Sequence, residues 1–96
     1  MNLRSNFGRA LKAARKLRNA SQESLDVATS RTYVSSLERG LKSPTIDKVD
    51  SIATALEIHA LTLLAYSYVI ELAPELRAAT LERVSNELQD LLHLQE

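Results

Sequence analysis

The chain contains no cysteine and only two glycines and two prolines among its 96 residues. The absence of cysteine excludes disulfide bonds and thiolate metal sites. The scarcity of glycine and proline leaves little turn-forming sequence for hairpins or sheets, whereas the good helix formers Leu, Ala and Arg are plentiful. We therefore expect an all-α protein, and a chain of this length falls within the size of one domain, roughly 50–200 residues.

Long hydrophobic runs and catalytic constellations are also missing. The longest nearly apolar stretch, residues 60–69, is far shorter than the ~20 residues that a membrane span needs. The N-terminus has no apolar signal core, so we expect a cytoplasmic protein without a membrane partner. Two isolated histidines, His59 and His93, and no paired carboxylates in a plausible cleft give no catalytic or metal site. We accordingly expect no enzymatic activity, no metal and no cofactor.

The formal net charge of zero conceals a strong separation of charge along the chain. Residues 1–48 carry ten basic and four acidic side chains, and residues 49–96 carry two basic and eight acidic ones. A basic half of this kind favours a polyanionic partner such as nucleic acid. A solvated basic surface with no partner is the alternative, and charge alone leaves it open.

Helical spacing of the apolar residues predicts six helices. They cover residues 6–18, 22–28, 31–39, 46–56, 60–72 and 74–92. The first five each follow a residue that is able to cap the helix, namely Ser5, Ser21, Ser30, Thr45 and His59. Gly40 is placed to end the third helix in a left-handed conformation, and Pro74 is tolerated in the first turn of the sixth.

The third predicted helix has the features of a DNA-reading helix. Val34 and Leu37 form its inner face. The helix is then left with four outward polar side chains, which we predict to contact bases: Arg31, Thr32, Ser35 and Ser36. A helix displaying such residues at its start fits the major groove, where arginine can donate two hydrogen bonds to guanine and Ser or Thr can bond bases or phosphates.

Residues around this helix are candidates for binding the DNA backbone. Gln22 begins the preceding helix, and a helix N-terminus favours an anion. Four further residues lie on or just after the third helix and are predicted to contact phosphates: Tyr33, Arg39, Gly40 and Lys42. The alternatives, a partly buried ring for Tyr33 and ordinary surface charge for Arg39 and Lys42, stay open at this point.

Residues 3–65 resemble the Cro/phage-repressor type of helix-turn-helix protein, also called the xenobiotic-response-element family. The resemblance rests on Phe7, Leu11, Arg15, Ser21-Gln22-Glu23, Ser30-Arg31, Tyr33-Val34-Ser35, Leu37-Glu38-Arg39-Gly40, Ser43-Pro44-Thr45, Ile52-Ala53 and Leu56. It implies a five-helix, lambda-repressor-like domain that binds operator DNA, commonly as a dimer. It also implies an ion pair, at least partly buried, between Arg15 and Glu38.

The chain departs from the family pattern in two places. Between Gln22 and Tyr33 it is two residues shorter, and this turn lacks the usual glycine. We therefore expect a curtailed second helix or an altered angle of the third. Glu57 stands where the family often has glycine, so a different cap is expected between the fourth and fifth helices.

The C-terminal helices suggest a dimer. We divide the chain into a DNA-binding domain, residues 1–72, and a dimerisation helix packed on the same domain, residues 73–96. The fifth predicted helix is apolar on nearly all sides, and the sixth has a seam with coiled-coil-like spacing. The predicted interface consists of Tyr66, Val69, Ile70, Leu81, Val84, Leu88 and Leu91. In the alternative arrangement, the last helix folds back and caps its own domain.

These features together predict a homodimeric transcriptional regulator, a repressor, that binds a pseudo-palindromic operator in double-stranded DNA. The alternative is a protein-interaction module, either an antitoxin or an adaptor, whose apolar C-terminal helices hold a different protein such as a toxin.

Overall fold

The computed structural model describes residues 2–26 and 29–95, and over these residues the chain is all-helical, with no strand. The elements are α1 (Leu3–Leu17), a 3₁₀ helix (Glu23–Leu25), α2 (Arg31–Glu38), α3 (Ile46–Ala55), α4 (Ala60–Val69) and α5 (Pro74–His93). The expected all-α fold class is confirmed. The predicted helix 22–28 is reduced to the 3₁₀ helix, and residues 27 and 28 lie outside the described residues.

Short-range capping bonds fix most helix starts where they were predicted. The hydroxyls of Ser30 and Thr45 accept backbone N–H bonds at 3.2 and 3.1 Å, and His59 Nδ1 accepts one at 3.0 Å. The predicted start of the first helix after Ser5 is wrong. Asn2 Oδ1 accepts the Ser5 N–H at 3.1 Å, so this preferred capping residue begins the helix three residues earlier.

The hydrophobic core lies where α1, α2, α3 and α4 meet. Its largest fully buried apolar side chains are Leu11, Leu25, Val34, Leu37, Ile52 and Leu63. A buried polar contact joins α1 to α4, because Asn6 Nδ2 donates to the Ser67 carbonyl at 3.0 Å. The 3₁₀ helix is anchored to the same core through Leu25.

A close approach of two backbones sets the position of α2 against α1. A Cβ atom on Gly8 would lie 2.5 Å from the Leu37 carbonyl oxygen and 2.7 Å from that of Glu38. Real Cβ atoms do not approach backbone oxygens so closely, so a side chain at this position would push the two helices apart.

An ion pair between α1 and the end of α2 complements that approach. Arg15 Nε and Nη2 donate to the two Glu38 carboxylate oxygens at 2.5 and 2.7 Å. Gln22 Nε2 donates to the same carboxylate at 3.1 Å, and Arg15 Nη1 donates to the Ala20 carbonyl, also at 3.1 Å. The Arg15 and Glu38 side chains are 16% and 6% exposed. The pair therefore joins α1, α2 and the segment between them in a largely dry position.

This network controls the ionisation of Glu38. Burial opposes its charge, but the hydrogen bonds from Arg15 and Gln22 and the positive charges of Arg15 and Lys12 outweigh burial and hold the pKa of Glu38 below its usual value. The folded state therefore prefers ionised Glu38 more strongly than the unfolded chain does. The resulting stability is complete above the ordinary pKa of 4.5 and is lost as the pH falls through the lower folded value.

Residue Glu57 ends α3 in the left-handed region, with a φ of 55°. Arg18 stabilises this end of the helix by donating to the Leu56 and Glu57 carbonyls at 3.0 and 2.9 Å. The different cap expected between the fourth and fifth helices is thus a glutamate in a conformation that favours glycine, with an arginine bound to the terminal carbonyls.

The last helix, α5, projects from the domain and buries none of its residues. Its main contacts are with α4, and Arg77 Nε and Nη2 donate to the Val69 and Ile70 carbonyls at 3.1 and 3.2 Å. The predicted fifth helix ends earlier than expected, at Val69 rather than Leu72. The alternative arrangement, in which the last helix folds back and caps its own domain, would bury residues of α5, and none of them is buried here.

No single helix among the described residues is long and apolar enough to cross a membrane, although the bent pair α3 and α4 meets the criterion jointly by length and composition.

Substitution of Gly8 tests the approach of α1 to α2. Gly8→Ala should lower the free energy of unfolding by about 1–3 kcal/mol because the new methyl group meets backbone rather than flexible side chain. The measurement is urea denaturation followed by circular dichroism. Arg9→Ala, at the neighbouring exposed position, is the control and should change stability by less than about 0.5 kcal/mol. A fully stable Gly8→Ala protein would contradict the close approach.

The ion pair gives a stability prediction with a definite pH dependence. Arg15→Ala should cost about 3–5 kcal/mol because it leaves the Glu38 carboxylate buried without its cation. Between wild type and Glu38→Gln, the difference in unfolding free energy should shrink as the pH falls below 4.5, because the unfolded chain then takes up a proton at Glu38 before the folded state does.

Glu87→Gln is the matched control for the pH series, since Glu87 belongs to the exposed Arg83–Glu87 pair. Its difference from wild type should stay near zero at every pH. Wild-type melting of Arg15→Ala, or a pH-independent difference for Glu38→Gln, would contradict the role assigned to the pair.

Candidate nucleic-acid interface

The leading edge of α2 displays two of the four predicted base-contacting residues to solvent. Arg31 and Thr32 are exposed, and Ser35 is half-buried on the same side. Val34 and Leu37 are completely buried and hold the opposite side of α2 against the core. An outward polar edge on an anchored helix can enter a major groove without disturbing the fold.

Ser36 is a correction to the predicted set. Its side chain is only 7% exposed, so the expectation that it points outward is wrong. The spacing of Val34 and Leu37 predicted a narrow buried stripe. The buried face of α2 includes Ser36 as well as Val34 and Leu37, so it is wider than the spacing of the two apolar residues implied.

Arg31 has a partner that the sequence analysis did not predict. Its Nη1 lies 2.9 Å from Oε1 of Glu23, and both side chains are 64% exposed. Glu23 belongs to the 3₁₀ helix, so the pair crosses the turn between the two elements. Spacing along the chain does not reveal this contact, because Glu23 and Arg31 lie on different elements.

Tyr33 lies between two lysines beside the leading edge. The Lys42 and Lys48 Nζ atoms are 5.7 and 5.8 Å from the centre of its ring. The ring is half-buried and packs on the core, which agrees with the alternative of a partly buried ring for this residue. Lys48 was not among the predicted contacts. The fold of α3 brings it here from a distant part of the sequence, so no local motif indicated it.

Two of the predicted phosphate contacts have structural partners in this chain. The Gln22 amide donates to Glu38, and the helix that follows Gln22 has only three residues, so it lacks the dipole on which the prediction relied. The Gly40 N–H donates to the Leu37 carbonyl at 3.0 Å, which leaves Gly40 no free backbone donor for a phosphate. Gly40 instead ends α2 with a φ of 73°, as its position predicted.

The basic half of the chain exposes several cations after α2 and along α1. Arg39 and Lys42 follow α2 directly and are exposed. Further exposed basic side chains lie along α1: Arg4, Arg9, Lys12 and Lys16. The basic half therefore presents its charge to solvent, as binding of a polyanion requires.

The residues predicted for a dimer interface fall into two groups. Tyr66 packs on the core, and Val69 and Ile70 are half-buried at the end of α4. The α5 residues are 44–63% exposed: Leu81, Val84, Leu88 and Leu91. They form an apolar seam that this chain alone leaves in water.

Among residues 2–26 and 29–95, no group of three or more His, Asp or Glu side chains is placed to hold a metal ion.

Comparison with known proteins identifies the family. The model of the helix-turn-helix family matches residues 11–63, which run from α1 into α4 and include all of α2. None of the curated proteins gives a significant match. Among solved structures, the chain resembles the clp gene regulator ClgR from Corynebacterium glutamicum, with 24% sequence identity and a TM-score of 0.64.

The likeness to ClgR covers 98% of this chain and 94% of that one, so the shared fold extends through the C-terminal helices. Its identity is low, and it shows the fold alone. The family match spans more than half of the 96 residues. The chain therefore belongs to the helix-turn-helix family of the Cro/C1 type, whose members bind DNA.

Proposed function

We propose that the protein is a sequence-specific transcriptional regulator that binds operator DNA through α2. One observation carries this proposal: Arg31 and Thr32 stand exposed at the N-terminal end of α2, while the opposite face of the helix is fixed in the core. In this family that arrangement is the one that presents side chains to base edges. The structural neighbour ClgR is itself described as a gene regulator, which supports the same role here.

Three side chains read the bases in this proposal. Arg31 donates two hydrogen bonds to O6 and N7 of a guanine, an interaction worth about 1–3 kcal/mol of discrimination. Thr32 and Ser35 contribute a methyl group and hydroxyls, which suit a thymine methyl and base or phosphate acceptors. Ser36 has no part, since it is buried.

Basic residues beside α2 hold the DNA backbone. Arg39 and Lys42 are exposed just after the helix, and the Lys42 and Lys48 ammonium groups flank Tyr33. The Tyr33 hydroxyl completes this group of donors. Such contacts fix the register of the protein on the duplex and supply affinity, but they carry little sequence information.

A homodimer doubles the recognised sequence. The exposed seam on α5 is self-complementary in chemistry, and pairing it with a second copy would cover the four apolar side chains that one chain leaves in water. Arg77 ties α5 to the end of α4, so the orientation of α5 is coupled to the domain that carries α2. Two copies of α2 related by a two-fold axis would read half-sites about 34 Å apart or a multiple of that.

Repression is the simplest consequence of such binding. A dimer that occupies an operator excludes polymerase from the overlapping promoter and needs no further activity. We place this action in the cytoplasm, together with the DNA.

A second candidate function rests on an exposed apolar groove between α1, α3 and α4. Its volume is about 440 Å³, and its apolar lining includes Leu3, Phe7, Ile46, Leu61, Leu64 and Tyr68. Ile46 is 85% and Leu61 62% exposed. Exposed apolar surface of this kind favours a protein partner, as in an antitoxin or adaptor. An adaptor should show no specific shift of a duplex and no steep dependence of binding on salt.

Selection of binding sites from random duplexes, followed by affinity measurements, tests DNA reading directly. Arg31→Ala should reduce preference at one position of the selected site by about 1–3 kcal/mol. Lys42→Ala should weaken all duplexes alike and lower the slope of log affinity against log salt by about 1. Equal loss on every sequence from Arg31→Ala would show that Arg31 contacts phosphate rather than a base.

Introduction of a charge into the α5 seam tests the dimer. Val84→Glu should convert the dimer to monomers in light scattering and weaken operator binding, because it places a charge in the middle of the apolar seam. Asn86→Glu adds the same charge on the opposite face of the helix and should leave the dimer intact. Dissociation by both variants, or a monomeric wild type, would contradict the proposed interface.

A further inference from the structure

The contact between Glu23 and Arg31 places an acidic side chain at the residue that most directly reads sequence. In this ion pair one guanidinium nitrogen, Nη1, lies 2.9 Å from one carboxylate oxygen. A guanidinium group has five N–H donors, so the remaining donors are available to a second acceptor. Both side chains are 64% exposed, which leaves room for a base edge beside them.

The backbone on both sides of Glu23 is held in place, so its side chain extends from a defined position. Leu25 is buried in the core, and Gln22 is bound to Glu38. Ser24 makes two bonds to Ser21, one from its N–H to the hydroxyl at 3.2 Å and one from its hydroxyl to the carbonyl at 2.6 Å. Glu23 therefore approaches α2 from a fixed segment rather than from a free loop.

We propose that Glu23 is a specificity-determining residue that acts through Arg31; this inference rests on the proposed function. Glu23 binds one edge of the guanidinium and leaves donors free for the O6 and N7 acceptors of guanine. The carboxylate thereby orients Arg31 before the DNA arrives. Less side-chain freedom is lost on binding guanine, and that reduces the entropic cost of the contact.

The negative charge of Glu23 also increases specificity, because it weakens binding to other DNA sequences. A phosphate attracts an unpaired arginine wherever the protein lands, because the interaction is electrostatic and independent of sequence. With Glu23 beside it, the local charge of the pair is zero, so this general attraction is reduced. Guanine offers Arg31 two directed hydrogen bonds that do not depend on net charge. Glu23 therefore lowers non-specific binding more than specific binding.

A contribution to folding stability does not explain why Glu23 and Arg31 are paired. An ion pair this exposed contributes little to the free energy of unfolding, and salt screens it. On DNA, water leaves the contact and the same charges interact more strongly. The effect of Glu23 is therefore expected in DNA binding, while the fold remains unchanged when the residue is replaced.

A double-mutant cycle on the full chain tests this inference. Affinities are measured by fluorescence anisotropy for wild type, Glu23→Gln, Arg31→Ala and the double variant. Three duplexes are used: the selected site, the same site changed at the position that Arg31 reads, and a random sequence. Glu87→Gln is the matched control, because it removes one carboxylate from the exposed Arg83–Glu87 pair on α5.

Glu23→Gln should strengthen binding to the random duplex and reduce the preference for the Arg31-dependent base, each by roughly fivefold. In the Arg31→Ala background, the same change should leave the base preference unaltered. Glu87→Gln should not alter the preference. Thermal unfolding of Glu23→Gln should match that of wild type, which shows that the fold is intact.

An equal gain of affinity on all three duplexes, with or without Arg31, would overturn the inference, because Glu23 would then act only through overall charge. Absence of any binding by wild type would overturn the proposed function and this inference with it. Specific binding by wild type with an additive cycle overturns the inference alone.

Discussion

The position of α2 depends on the ion pair between Arg15 and Glu38 together with the glycine contact beside it. The pair holds the C-terminal end of α2 against α1, and Gly8 lets the two backbones meet at the same place. A helix turns by about 100° per residue, so a small rotation of α2 would replace its outward side chains with others. The buried, bidentate geometry excludes such a rotation. The buried pair of Arg15 and Glu38 therefore helps to fix the rotation of α2 that exposes Arg31 and Thr32 to solvent.

The structure divides the basic residues of the first half into two kinds. Arg15 is bound to Glu38 in a largely buried position and is not available to a polyanion, whereas Arg18 donates to the carbonyls at the end of α3 and is otherwise exposed. Arg77, in the acidic half, likewise donates hydrogen bonds to carbonyls at the end of α4. The charge that remains exposed lies along α1 and around α2. The number of basic residues therefore overstates the number of cations that can bind DNA. The property that favours DNA binding is the concentration of the exposed cations in one part of the chain.

Local chemistry explains which features the sequence could predict. Ser30, Thr45 and His59 cap helices through bonds that span two or three residues, and Gly40 ends α2 by its own conformational freedom. Features that depend on packing between distant segments were missed or misplaced. Ser36 is buried by tertiary packing, Gln22 is bound to a carboxylate sixteen residues away, and Lys48 reaches Tyr33 through the fold of α3. The pair of Arg31 with Glu23 joins two different elements, and helical spacing describes only contacts within one helix.

Mapping of the DNA-contacting surface by nuclear magnetic resonance tests whether α2 is the helix that binds DNA. A duplex recovered by selection is added to ¹⁵N-labelled protein, and the amide shifts are followed to equimolar ratio. We expect the largest changes at Arg31, Thr32 and Ser35, with smaller ones near Arg39 and Lys42. Changes confined to the groove around Ile46 and Leu61, with α2 unaffected, would contradict this expectation.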